Sequence, residues 1–270
     1  MSNNLLKGKK GIIFGALDEK SIAWKTAIRC HEEGAEILLT NAPVAMRMGE
    51  IKKLAEMINA PVVPCDVSSN EDVQNLVSKA KEHFGGGVDF ILHSIGMSLN
   101  VRKGRHYTDI DYGFNAKTLD ISATSLHRVL ATAMREDAIN EWGSVVSLTY
   151  IAAQRVFPDY NEMADAKSLL ESISRSFGYH YGVKKHVRVN TISQSPTRTT
   201  AGSGVKGFDG FINYAEKMSP LGNASADDCA NYIVSLFSDY TKFVTMQNLF
   251  HDGGFSFTGV TAEVIEQMEK

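Results

Sequence analysis

Tyr150, Tyr160 and Lys167 stand in the spacing Tyr-x9-Tyr-x6-Lys within SLTYIAAQRVFPDYNEMADAKSLLE. A phenol with an ordinary pKa of about 10 keeps its proton at neutral pH and can donate to an oxygen that is gaining negative charge. An ammonium group nearby adds positive charge and can bind the hydroxyls of a sugar. The trio suits polarisation of a carbonyl beside a bound cofactor. Pro158-Asp159-Tyr160-Asn161-Glu162 reads as a helix start, with Asp159 as cap and Glu162 as its capping-box partner. On that reading Tyr160 is the first helical residue, and Lys167 lies two turns on along the same face, a rise of about 10.5 Å. Tyr150, just past an apolar run, closes the pocket from the opposite wall.

The elements that must carry these groups are legible as alternating apolar and amphipathic runs. Ile12-Ile13-Phe14 is a short strand ending at Gly15, and Ser21 to Glu33 has helical periodicity closed by Gly34. Ile37 to Thr40 and Pro61 to Pro64 are further strands. Helices are predicted over Met48 to Ile58 and from Glu71 to Phe84, the second capped by Asn70. Phe90 to His93, Ser144 to Leu148, Val187 to Ile192 and Met246 to His251 are the remaining strands, with a long helix over Leu119 to Met134. Apolar strands alternating with helices imply a parallel sheet covered on both faces. The expected architecture is one doubly wound α/β domain of Rossmann type spanning residues 1–270, with a seven-stranded parallel sheet.

Such sheets bind ligands beyond the carboxyl ends of their strands. Gly15 lets backbone approach a pyrophosphate there, and Ser21, followed by Ile22, opens the next helix with its hydroxyl and N–H groups toward phosphate oxygens. The full G-x-G-x-x-G pattern is absent, and Asp18 and Glu19 repel phosphate unless turned away. Asp66, after the third strand, is placed to accept from an adenine amino group. Ser94-Ile95-Gly96, after the fourth, offers small residues beside a nicotinamide ribose. Thr40-Asn41-Ala42-Pro43 holds no acid for a ribose 2′-hydroxyl, and Arg47 is the nearest cation for a 2′-phosphate. The residues themselves leave NADH and NADPH both open.

Composition narrows the classes. The chain has 270 residues, 43% hydrophobic and 22% charged, with a net charge of −3, which points away from nucleic acid as a partner. Cys30, Cys65 and Cys229 are far apart, show no metal spacing and read as buried free thiols; no metal is expected. The apolar run after Lys7, Lys9 and Lys10 is too short for a signal core or a membrane span, so a cytoplasmic protein is expected. Tyr181 and Lys185, with Ser168 thirteen residues before Tyr181, mimic the triad of common short-chain dehydrogenases. Ser168 falls inside the helical pattern and Lys185 two residues before a strand, so that group reads as structural.

With these residues in place, the chain resembles bacterial enoyl-acyl-carrier-protein reductases of the divergent short-chain dehydrogenase type, from about Leu5 to Phe257. The likeness is carried by Gly15-x5-Ser21-Ile22-Ala23, Cys65-Asp66-Val67, His93-Ser94-Ile95-Gly96, Tyr150-x9-Tyr160-x6-Lys167, Arg188-Val189-Asn190 and His251-Asp252-Gly253-Gly254. It implies Tyr160 as donor to an enolate oxygen, Tyr150 as a second active-site tyrosine and Lys167 on the nicotinamide ribose. It further implies Val67, Thr197, Arg198, Thr199, Thr200 and Ala201 at the cofactor, which it makes NADH, with NADPH not excluded. Ser98, Met163, Val205 and Phe208 would line the acyl pocket, beneath a glycine-rich lid around 197–220. The implied reaction is reduction of the trans-2 double bond of an enoyl thioester in fatty acid elongation, on a substrate carried by acyl carrier protein. Arg102, Lys103, Arg105 and Lys206 are candidate docking cations, and family members are typically homotetramers. Asn41-Ala42, and Ser195 where many relatives have glycine, depart from the pattern. A carbonyl reductase or alcohol dehydrogenase of the same superfamily, and a non-catalytic dinucleotide sensor, are the alternatives.

Overall fold

Period-two alternation decides which way each strand's side chains are buried. In β1 (Lys10–Phe14), Ile12 and Phe14 enter one apolar layer while Ile13 enters the other. The computed structural model describes residues 3–200, 202 and 207–269. After β1 come α1 (Ile22–Glu32), β2 (Glu36–Asn41), α2 (Pro43–Met48), α3 (Ile51–Ile58), β3 (Val62–Pro64), α4 (Asn70–Phe84) and β4 (Val88–His93). Then follow α5 (Leu99–Arg102), α6 (Tyr112–Leu119), α7 (Ser125–Arg135), β5 (Ile139–Thr149), α8 (Met163–Lys185) and β6 (Arg188–Gln194). The chain closes with α9 (Phe208–Met218), α10 (Ala226–Phe237), β7 (Asn248–His251) and α11 (Ala262–Met268).

The seven strands form one sheet in the order β3-β2-β1-β4-β5-β6-β7, and every pairing is parallel. This is the doubly wound sheet expected from the alternation. Helices α4, α7 and α8 cover one face and α1, α3 and α10 the other. Chain order reverses between β1 and β4, and the crevice outside their carboxyl ends is the place where such a fold receives a ligand. A third apolar group, including Tyr150, Ala215, Met218 and Phe255, lies outside both layers. Among the described residues no helix is long and apolar enough to cross a membrane. The three cysteines are buried free thiols, and burial pushes the pKa of each upward.

Several boundaries differ from the sequence expectations for local reasons. The helix expected over Met48 to Ile58 is broken into α2 and α3 at Gly49, whose backbone is extended because it packs against Leu17; a Cβ there would lie 2.4 Å from the Leu17 carbonyl oxygen. Ser69, not Asn70, caps α4, its Oγ accepting from the Asp72 N–H. The helix expected from Leu119 starts earlier, in α6, and passes through a π-helical segment, Asp120–Thr124, before α7. The Ser122 hydroxyl within that segment accepts from the Met97 N–H and donates to the Met97 carbonyl, fixing the loop after β4. The strand expected at Ser144 begins at Ile139.

Candidate active site

A cleft of about 420 Å³ opens at the carboxyl edge of the sheet, between the ends of β1, β4, β5 and β6. Gly15 sits at its floor with φ +91, and a Cβ there would fall 1.9 Å from the Ser94 carbonyl oxygen. Only glycine lets the ends of β1 and β4 approach so closely. Gly15→Ala is therefore expected to lower stability by roughly 1–3 kcal/mol, seen as a lower denaturant midpoint. An unchanged midpoint would show that the two loops part freely.

Ser21 precedes α1 as expected, but its hydroxyl does not cap the helix. It accepts from the Leu17 and Asp18 N–H groups, both at 3.2 Å, and so shapes the loop instead. Of the two acids in that loop, Glu19 turns outward to Lys53 and Asp18 stays at the cleft, accepting from the Thr200 hydroxyl. Gly96 lies against the opposite wall, where a Cβ would rest 3.8 Å from Lys167 Nζ and 3.7 Å from the Met163 methyl.

The tyrosine wall is built differently from the capping-box expectation. Tyr150 follows β5 in an extended conformation, and Pro158–Tyr160 is a single 3₁₀ turn. Asn161 then takes φ +53 and ψ −143, a region strained for any side chain, before α8 begins at Met163. Tyr160 is thus outside the helix, and Asp159 and Glu162 form no capping box; Glu162 is buried with its carboxylate committed to Ser98, Asn100 and Thr118. Tyr160 and Lys167 line one cleft even so, together with Tyr150. The two phenol rings lie 5.2 Å apart between centroids, and Phe157 and Phe211 pack on Tyr150 at 5.5 and 6.0 Å.

Electrostatics give the three groups distinct characters. Burial pushes the pKa of Tyr150 and of Tyr160 upward, so both remain proton donors at any working pH. Lys167 is 7% exposed and donates to the Leu148 carbonyl at 2.8 Å. Burial pulls its pKa down to about 8, while Glu171, one turn further along α8, acts in the opposite direction. The Tyr150 hydroxyl is buried with no hydrogen-bond partner among the described residues, and half-buried Tyr160 lies against it. Buried polar groups without partners call for a physical reason. Two phenols beside a buried lysine, in a cleft floored by glycine, fit a dinucleotide and a carbonyl oxygen supplied by ligands.

Most of the expected contacts converge here. Gly15, Ser21, Ile22, Ser94, Ile95 and Gly96 line the cleft, as do Thr197, Thr199 and Thr200, and so do Ser98, Met163 and Phe208. Asp66, Val67 and Arg198 are not among the lining residues. The Asp66 carboxylate accepts from the N–H and hydroxyl of Ser68, closing its own turn. Val67 is buried in the core, and Arg198 is turned to an ion pair with Asp209. Ala201, Val205 and Lys206 lie outside the described residues. Tyr181 and Lys185 are where the structural reading put them: Tyr181 donates to the Leu130 carbonyl, and Lys185 pairs with Asp137 at the far end of α8.

Sequence reasoning missed Asn41, Gln194 and Phe211 in the lining, along with the buried acids Glu162 and Glu171. A signal for Glu171 was present, since it stands four residues after Lys167 on one helix face. Its carboxylate accepts from Thr149, Gln154 and Asn248. Asn41 anchors the β2 end, donating to the Ala16 carbonyl and accepting from the Ala42 N–H.

A doubly wound parallel sheet with Tyr and Lys at the carboxyl end of the fifth strand defines the class as short-chain dehydrogenase/reductase. The family model described as enoyl-(acyl carrier protein) reductase matches residues 15–256. The enoyl-[acyl-carrier-protein] reductase [NADH] 2 of Rhizobium meliloti is 34% identical over 261 residues, covering 96% of this chain and 95% of that protein. FabI of Rickettsia bellii, named as an NADH enoyl-[acyl-carrier-protein] reductase, is 35% identical over 262 residues, covering 96% and 98%. The crystal structure of a FabI–NADH complex from Alistipes finegoldii is 66% identical, with a TM-score of 0.95, covering 96% of this chain and 91% of that one. The chain belongs to the enoyl-acyl-carrier-protein reductase family.

Proposed function

We infer that this protein is an NADH-dependent enoyl-acyl-carrier-protein reductase, which saturates the trans-2 double bond of enoyl thioesters in fatty acid elongation. The observation that carries the reading is the buried Tyr150 hydroxyl, without a partner among the described residues, held with Tyr160 and buried Lys167 in one cleft of a chain of this family. Bound NADH would supply the hydride that reaches the β-carbon, and a proton taken up at the α-carbon completes the saturated acyl chain. The rest is the work of the chain. Tyr160 donates to the thioester oxygen as negative charge develops there. Lys167 holds the nicotinamide ribose and keeps positive charge beside that oxygen, and Tyr150 closes the pocket as a second donor. Gly15, Ser21, Ile22, Ser94, Ile95, Gly96, Thr197, Thr199 and Thr200 form the dinucleotide side of the cleft. Ser98, Met163 and Phe208, joined by Val205, form the acyl side.

The stretch 197–220, including α9, acts as a lid over the acyl chain. The substrate arrives on acyl carrier protein, an acidic partner, with Arg102, which lines the cleft, and its neighbours Lys103 and Arg105 as docking cations. The working assembly is a cytoplasmic homotetramer. Following nicotinamide absorbance with crotonyl thioester and with a 3-oxoacyl thioester, each with NADH and with NADPH, tests the reading. Oxidation of NADH by the enoyl substrate is expected. Turnover of the 3-oxoacyl substrate alone would make the protein a carbonyl reductase, and coenzyme binding with no turnover would make it a sensor.

A further inference from the structure

Glu162 is fully buried, a costly place for a carboxylate unless donors converge on it. Three do, all on Oε1: the Ser98 hydroxyl at 2.6 Å, the Thr118 hydroxyl at 3.0 Å and the Asn100 amide at 3.1 Å. Oε2 has no partner among the described residues. The donors belong to a different wall of the cleft from Glu162. Ser98 caps α5, Asn100 lies within it, and Thr118 is in α6. Asn100 ties the two together, exchanging hydrogen bonds with the backbone of Asp111, the residue that caps α6. Ser98, Val101 and Arg102 of this wall line the cleft. Glu162 itself stands in the chain between Tyr160 and Met163, which line it from the other side. Its neighbour Asn161 reinforces the tie, donating to the Arg105 carbonyl at 2.8 Å and accepting from the Glu162 N–H.

We propose that Glu162 is a positioning residue that sets the gap between the Tyr160 phenol and the α5 wall, and thereby the seat of the acyl thioester. A single oxygen gathers the α5–α6 wall onto the backbone that carries Tyr160. Among the described residues the hydrogen bonds of its carboxylate go to Ser98, Asn100 and Thr118, and none goes to Gly15, Ser21 or Ser94 on the dinucleotide side of the cleft. The effect therefore falls on the thioester and spares the coenzyme. This assignment rests on the enoyl reductase reading above.

The test compares Glu162→Ala with Glu162→Gln, whose amide oxygen still accepts from the three donors. Glu162→Ala should raise KM for crotonyl thioester about tenfold or more, with the NADH Kd, read by fluorescence, within about twofold of wild type. Glu162→Gln should recover KM to within about threefold. An unchanged KM in folded Glu162→Ala, or an NADH Kd that rises in step with KM, overturns the assignment. If Glu162→Ala does not fold, Thr118→Val, which removes one donor, should raise KM about threefold. An unchanged KM in that variant overturns the assignment equally. Wild-type enzyme in the same assay keeps the two readings apart: no turnover by wild type sinks the reductase reading, whereas normal wild-type turnover with indifferent variants sinks only the role of Glu162.

Discussion

Tyr160→Phe should lower kcat/KM for crotonyl thioester on the order of 10²–10³-fold, the usual loss when one preorganised donor to a developing oxyanion is removed. NADH affinity and thermal midpoint should stay close to wild type. The separation follows from the geometry. The Tyr160 hydroxyl makes no hydrogen bond among the described residues, so its deletion breaks none there. Its ring still packs against Tyr150, 5.2 Å away. The phenol is also kept neutral, because burial pushes its pKa upward, and no change of pH within the working range can turn it from donor to base. A lost donor then appears as lost transition-state stabilisation with little change in ground-state binding of the coenzyme. Turnover at the wild-type level would remove Tyr160 from the chemistry. A parallel fall in thermal midpoint would make it a packing residue. Tyr150→Phe serves as the contrast: Tyr150 is buried where Tyr160 is half-buried, and should show the smaller loss.

The strands of this fold are legible because a parallel sheet is buried on both faces, so Ile37 to Leu39 and Phe90 to Leu92 appear as continuous apolar runs. The strand ends carry the site, so reading the strands also located the cleft. Gly15 was recognisable by type, although the reason it must be glycine, the approach of the Ser94 carbonyl, is a contact between distant segments. The start of α8 was misread for the same kind of reason. Asp159 and Glu162 have the local spacing of a capping box, yet the Glu162 carboxylate is claimed by Ser98, 64 residues earlier, and the helix begins only after it. Local pattern loses to long-range hydrogen bonding when the acid is buried. Asp66 shows the converse. Its position after β3 suggested a ligand contact, while one of its two carboxylate oxygens, Oδ1, is engaged by Ser68 in closing its own turn. A residue's place at a strand end can be read from one chain; the orientation of a short side chain there depends on neighbours that only folding assembles.

Lys167→Met should weaken NADH binding about tenfold or more and lower kcat/KM by roughly 10²-fold, since position and charge are lost together. The pH dependence makes the prediction specific. Burial holds the pKa of Lys167 at about 8, so the ammonium form prevails below that pH and the neutral amine above it. NADH affinity of the wild type should therefore fall as pH rises through about 8, and that of Lys167→Met should be flat over the same range. The stability of the empty protein should run the other way. An unfolded lysine keeps its proton to about pH 10.5. Between the two values the unfolded chain binds more protons than the folded one, so stability rises with pH across that window. Below it the fold carries the full cost of a buried ammonium group. Replacing that group with a thioether of similar length removes this cost, although the Leu148 carbonyl loses its donor, an offset of about 1 kcal/mol. The thermal midpoint of Lys167→Met at neutral pH should then be no lower than that of wild type. A variant that unfolds earlier and binds NADH normally would recast Lys167 as a structural residue. One that is as stable as wild type and catalytically crippled would show a charge kept against the interests of the empty fold, because the cofactor and the developing oxyanion need it there.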